Sequence, residues 1–162
     1  MLNEFQTTRV WENMLAAETR ALYFADLASR YTRRKQWITG VSFFLASGAA
    51  ASLIGKLPQW VPLIASSVVA VLSAYSMALA LDRKISTMAK LHSAWNLISL
   101  DYERLYNHPD SDDAEEQFYA IFQREKEPSE LAATEAPNDQ KLLGQWQEHV
   151  FARYRRLTEQ HG

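Results

Sequence analysis

The sequence predicts an all-α protein: a two-helix transmembrane hairpin, extended as a long antiparallel helical pair in the cytoplasm and followed by short C-terminal cytoplasmic helices. Three observations lead there. Between Gln36 and Leu81 the only charged side chain is Lys56. On both sides of that gap, apolar residues recur at steps of three and four, the helical period. No strand pattern of any length follows it. The 162 residues are 48% apolar and 22% charged, with a net charge of −2 and no cysteine. Such a length allows one domain, or a small membrane unit with an appended soluble part. The slightly acidic total argues against a nucleic-acid coat, and sequence-specific duplex DNA binding is not expected. Without cysteine there are no disulfides, thiol nucleophiles or thiolate zinc sites.

The first helix is marked by Val10, Met14, Ala17, Ala21, Phe24, Ala28 and Tyr31. It leads into Gln36–Gly55, 20 residues without Asp, Glu, Lys, Arg or His, and Leu57–Leu81 adds 25 more. At about 1.5 Å per residue these segments reach roughly 30 and 37 Å, enough for a hydrocarbon core of about 30 Å. The spans are drawn at 36–55 and 60–81, with Trp37 and Trp60 at their starts, where amphipathic rings suit a membrane boundary. Gly55-Lys56-Leu57-Pro58-Gln59 supplies the turn. The competing explanation is a buried helical hairpin in a soluble protein, but a chain this short has little other material to cover two helices that are apolar all round. Arg30, Arg33, Arg34 and Lys35 precede the first span, and Arg83, Lys84 and Lys90 follow the second. The positive-inside bias therefore sets both termini in the cytoplasm.

A second stripe, Met88, Leu91, Trp95, Ile98, Tyr102 and Leu105, follows the second span. Two such stripes flanking a hairpin should meet as an antiparallel coiled pair. Reflection about the turn sets Tyr31 near Lys84, Ala21 near Ala94 and Val10 near Leu105. Each long helix is expected to run unbroken, and residues 1–107 to form one domain. The remainder, 108–162, is a C-terminal helical region. Its first helix, 112–126, has Phe118, Ile121 and Phe122 on its apolar face and acids in its first turn, as the helix dipole favours. Glu127–Asn138, with Pro128 and Pro137, reads as a linker with room for one helical turn. A last helix, 138–159, carries Leu143, Trp146, Val150, Tyr154 and Leu157 on one face.

Packing and polarity within the spans are legible too. Ser66, Ala70, Ala74 and Ala78 place a small residue at every fourth position, and Ser42, Ala46 and Ala50 do so in the first span. Small faces let helix backbones approach closely in lipid. One face closes the hairpin, and the surplus faces imply a homo-oligomer, with a tetramer as the working number. Ser66, Ser73 and Ser76, with Ala70 and Ala74, are candidates for pore lining or for packing. No Asp, Glu, Lys, Arg or His lies inside either span, which argues against a proton relay or voltage sensor.

Signs of chemistry are few. His92, His108, His149 and His161 lack metal-ligand spacing, and there is no Gly-rich phosphate loop or serine elbow. No catalytic residue, metal or cofactor is expected. Two basic groupings remain as candidate ligand sites. Arg30, Arg33, Arg34 and Lys84 lie at the inner membrane boundary, where topology and attraction to anionic lipid account for most such basic bands. Lys141, His149, Arg153, Arg155 and Arg156 lie near Trp146, Phe151 and Tyr154, a mixture that suits phosphate and base stacking. An ordinary amphipathic helix with cations at its C-terminal end explains the same residues.

This layout resembles the SLATT family, the SMODS- and SLOG-associating two-transmembrane effector domains. The likeness lies in the run ALYFADLASRYTRRKQW leading into the first span, the short turn, the second span and LDRKISTMAKLHSAWNLISLDYERLY, covering roughly residues 5–107. It implies a membrane effector of bacterial anti-phage defence in the cytoplasmic membrane. Such an effector would be a homo-oligomeric channel or pore, opened or held closed by a nucleotide or oligonucleotide from a partner nucleotidyltransferase. The fused nucleotide-sensing domain of some members is missing from this sequence. The alternative is a non-conducting anchor or scaffold whose cytoplasmic helices recruit a soluble partner.

Overall fold

A computed structural model describes residues 1–47 and 60–161. Its helices are α1 (Glu4–Ala46), α2 (Trp60–Ala78), α3 (Leu81–Asn107), α4 (Ala114–Arg124), α5 (Lys126–Glu135) and α6 (Gln140–His161). Among the described residues there is no strand. Two compact units result: one of Met1–Leu27 with Thr87–Gly162, the other of Ala28–Ser86. The boundary expected at residue 107 falls inside the first unit, because the C-terminal helices share a core with the ends of α1 and α3.

That core is built from the two stripes. Val10, Met14, Ala17, Ala21 and Phe24 on α1 are buried, as are Met88, Leu91, Trp95, Ile98, Tyr102 and Leu105 on α3. Polar contacts set the antiparallel register. His92 Nδ1 meets the Ala21 carbonyl at 2.9 Å, and Ser99 donates to the Met14 carbonyl at 3.4 Å. Small alanines on α1 leave room for the Trp95 and Tyr102 rings, so the helices approach closely while large side chains interdigitate. The start of α1 carries a capping box. Asn3 Oδ1 accepts from the Gln6 N–H at 2.8 Å, and Gln6 Oε1 accepts from the Asn3 N–H at 2.9 Å. Leu2 is buried, and its N–H donates to the Pro109 carbonyl at 2.9 Å, tying the N-terminus to the α3–α4 connection.

Burial also sets the titration of Tyr102. Its hydroxyl is pushed well above the ordinary tyrosine value of 10.0, first by desolvation and then by the Glu125 carboxylate beside it. A raised phenol pKa means that the folded state holds this proton more tightly than the unfolded chain. Stability is therefore undiminished below about pH 10 and falls as pH rises beyond it, by at most about 1.4 kcal/mol per pH unit. Tyr102→Phe should flatten that alkaline slope. Urea unfolding at pH 9 and pH 11 checks it; equal losses in both proteins would contradict the assignment.

The C-terminal helices differ from expectation in one place. The stretch read as a linker from Glu127 contains α5, and only residues 136–139 connect it to α6. Pro128 explains both facts. It lacks the N–H that would reach the Arg124 carbonyl, and its ring crowds that carbonyl, so α4 stops at Arg124. It sits instead in the first turn of α5, where a missing N–H costs little. α4 itself is shorter than the expected 112–126 and buries Ala114 and Ile121, while Phe122 is exposed. On α6 the buried residues are Leu142 and Val150, with Trp146 and Tyr154 half-buried. The Leu157 side chain lies outside the described residues.

In the second unit, Lys84 Nζ lies 5.9 Å from the centre of the Tyr31 ring, and Lys35 pairs with Asp82. The second long helix is not unbroken. α2 ends at Ala78, and Ala80 turns into the left-handed region at φ 45° before α3 begins. Hydrogen bonding passes through the bend, since Ala80 N–H reaches the Met77 carbonyl and Lys84 N–H the Ala80 carbonyl, both at 3.0 Å. No Gly or Pro announces it, so a non-Gly residue accepts a conformation that costs roughly 1–2 kcal/mol.

Among the described residues, no helix is long and apolar enough to cross a membrane. The span drawn at 36–55 is described only to residue 47, and the turn Gly55–Gln59 lies outside the described residues, as does Ala50 of the small-residue face. The span drawn at 60–81 is shortened to the 19 residues of α2. At about 1.5 Å per residue it reaches about 28 Å, just under a hydrocarbon core of about 30 Å.

Candidate functional site

A cavity of about 390 Å³ lies in the first unit, between α1, α3, α5 and the segment leading into α6. One wall is built by α1. Phe24 belongs to the buried stripe, and Arg20, one turn earlier, places its guanidinium carbon 4.4 Å from the centre of the Trp95 ring. Tyr23, on the same helix, ties this wall to the segment before α6: its hydroxyl donates to the Pro137 carbonyl and accepts from the Asp139 N–H at 3.4 Å. Asp139 starts α6, where its Oδ1 accepts from the Leu142 N–H at 3.0 Å, an N-cap bond. Ala132, Ala133, Ala136 and Leu143 complete an apolar lining, with Ser129 and Asn138 adding polar atoms. An apolar cavity holding a few fixed polar groups is the ordinary construction of a small-molecule site. A second cavity, about 460 Å³, includes Trp11 and Phe151 and shares Arg20 and Leu143 with the first.

The predicted ligand residues do not converge on this cavity. Arg153 pairs with Glu18 and lies with its guanidinium carbon 5.1 Å from the Tyr154 ring centre. Arg156 Nε donates to the Ala152 carbonyl of its own helix at 3.2 Å, and Arg155 also makes an interaction within the chain. Lys141 and His149 are exposed, and His149 meets the Trp146 ring edge-on at 5.5 Å. Trp146 Nε1 donates to Asp26 at 3.3 Å. The tyrosine of this cluster, Tyr154, has its pKa raised by burial, against the lowering effect of its hydrogen bond with Arg153. Arg33 and Arg34 are exposed in the second unit, Lys84 is taken up by Tyr31, and Arg30 has an interaction within the chain.

Glu18 shows how far Arg153 is committed. Its side chain is 12% exposed, and its Oε2 is buried without a hydrogen-bond partner, while Arg153 remains 47% exposed. Such a half-buried pair lies between surface pairs, worth about 0.2–1 kcal/mol, and buried ones, where losing one partner costs about 3–5 kcal/mol. A double-mutant cycle of Glu18→Gln and Arg153→Met should therefore give a coupling of about 1–2 kcal/mol in urea unfolding. A coupling near zero would release Arg153 for an external anion.

Comparison with family models, with curated proteins and with solved structures finds no match. Sequence reading passed over Arg20, Tyr23 and Glu18, which lie beside the α1 stripe and gain meaning only from their neighbours in space. Asp139 had a signal, an Asp directly before the apolar run of α6. Among the described residues no group of three or more His, Asp or Glu could hold a metal ion.

The second unit presents a different surface. Trp37, Phe43, Phe44, Trp60, Ile64, Val68, Val71, Tyr75 and Met77 are all exposed, Phe43 and Met77 to 76%. Ser66, Ala70, Ser73 and Ala74 are exposed on α2, and Ser76 is half-buried. Apolar side chains exposed in such number mark a surface that something else covers.

Proposed function

We propose that the protein is a homo-oligomeric membrane channel or pore-forming effector of the SLATT kind, gated by a nucleotide or oligonucleotide signal. The single observation that carries this reading is the outward apolar surface of α2 and the end of α1, in a stretch whose only charge is Lys56. Lipid and neighbouring copies are the partners that cover such a surface without asking for charge. Small residues at Ser66, Ala70 and Ala74 suit close helix contact between copies, and the hydroxyls of Ser66, Ser73 and Ser76 suit a wetted path. Both termini then face the cytoplasm of a bacterial cell, and Arg33 and Arg34 meet the headgroups.

Regulation needs a ligand that prefers one state. Moving a closed–open ratio from 1:99 to 99:1 requires about 5.5 kcal/mol of preference. Charge-assisted contacts repeated around a ring of identical chains supply energies of that order. Ion flux from liposomes holding the purified protein tests the reading. Flux that responds to a nucleotide is expected; a tight membrane with every nucleotide tried would overturn it. Ala74→Leu should disturb assembly, since a bulky group enters a small-residue face.

A second reading has its own support. Leu97 and Leu100 on α3 and Tyr119 and Phe122 on α4 are exposed in the first unit. A non-conducting anchor that recruits a soluble partner through these helices would use them.

A further inference from the structure

We propose that the cavity beside Arg20 binds a small nucleotide, taking its phosphate on Arg20 and the amino group of its base on Asp139. The inference rests on the nucleotide-regulated reading above for its biological role, and it names the site.

Arg20 is the first reason. Its guanidinium carbon lies over the buried Trp95 indole, 4.4 Å from the ring centre, and the group makes no ion pair among the described residues. An indole face offers attraction but no acceptor, so the planar donor edge is left for an anion of matching shape. Arg153 of the C-terminal basic grouping, by contrast, already has its carboxylate in Glu18. Arg20 also lines both cavities, so an anion held there has apolar space on either side.

Asp139 is the second reason. One carboxylate oxygen caps α6, and the other makes no hydrogen bond among the described residues. A carboxylate accepts and does not donate, so it selects a ligand with an N–H to give. An exocyclic amino group on a planar base answers that requirement. Phe24, Ala132 and Leu143 offer the apolar wall against which such a base lies. The volume, about 390 Å³, is at the small end of ligand sites and suits one nucleotide unit.

The geometry also says how occupancy reaches the fold. Tyr23 ties the Pro137 carbonyl and the Asp139 N–H to α1, so the segment between α5 and α6 is fixed to the same wall. A ligand bridging Arg20 and Asp139 tightens α6 against α1.

The test is calorimetry on the full chain in detergent, titrated with AMP, CMP and UMP, and with adenosine and inorganic phosphate separately. Saturable binding of AMP and CMP is expected, at least about tenfold tighter than UMP, which lacks the amino group. Arg20→Ala should weaken AMP at least tenfold, with Arg20→Lys between. Asp139→Asn keeps the cap and should shrink the CMP–UMP difference. Ala133→Trp fills the cavity with Arg20 in place and should also abolish binding. Because Arg20→Ala also loses its contact with Trp95, unchanged helical circular dichroism accompanies each variant. The proposal is overturned if no nucleotide saturates, if Arg20→Ala and Ala133→Trp bind normally, or if phosphate alone binds as tightly as AMP. The readout is heat, so a chain that binds AMP yet passes no ions supports this site while overturning the channel reading.

Discussion

Trp95→Ala is expected to destabilise the first unit by about 3–5 kcal/mol, the usual cost of emptying a large aromatic site in a core. Trp95 is 1% exposed and lies in the middle of the α3 stripe. Its removal leaves a void next to the existing cavity, and Arg20 loses the ring that holds it. Domains of this size are stable by about 5–15 kcal/mol, so the loss is a large share of the whole. Trp95→Phe should cost less, for a reason particular to this site. The indole Nε1 is buried without a hydrogen-bond partner, and an unsatisfied buried donor costs about 1–3 kcal/mol. Phenylalanine loses ring volume and loses that penalty together. Urea midpoints of the three proteins check both statements; a Phe variant as weak as the Ala variant would mean that Nε1 is satisfied in solution.

Val71→Asp is expected to shift the insertion equilibrium of α2 about 100-fold away from the bilayer. Val71 lies near the middle of α2 and is 67% exposed. A carboxylate at the centre of a spanning helix costs about 2.5–3.5 kcal/mol on insertion scales. The competing explanation, a water-exposed helix, gives the opposite sign, because replacing an exposed valine by aspartate improves solubility. Fractionation of cells expressing each protein, followed by carbonate extraction, separates the two. A Val71→Asp chain that extracts like the parent would remove α2 from the bilayer.

Parts of this molecule can be read without coordinates. Val10, Met14, Ala17, Ala21 and Phe24, and their counterparts Met88 to Leu105, follow the helical period closely enough to name the core of the first unit. The pairing of Tyr31 with Lys84 follows from reflecting one stripe onto the other. Other features carry no local mark. The left-handed Ala80 sits in an Ala-Leu-Ala-Leu run with no turn residue, and the helix α5 hides behind a proline that ordinarily announces a linker.

The sequence by itself determined the helical class, the two apolar stripes and the near absence of charge from Gln36 to Leu81. These depend on spacing and composition along one stretch of chain. Only the tertiary structure decided which cations are taken: Arg153 by Glu18, Lys35 by Asp82 and Lys84 by Tyr31. It alone set Arg20 over Trp95, beside a cavity that reaches Asp139. Periodicity is a property of neighbours in sequence, whereas ion pairing and enclosed volume arise between residues that folding brings together from far apart.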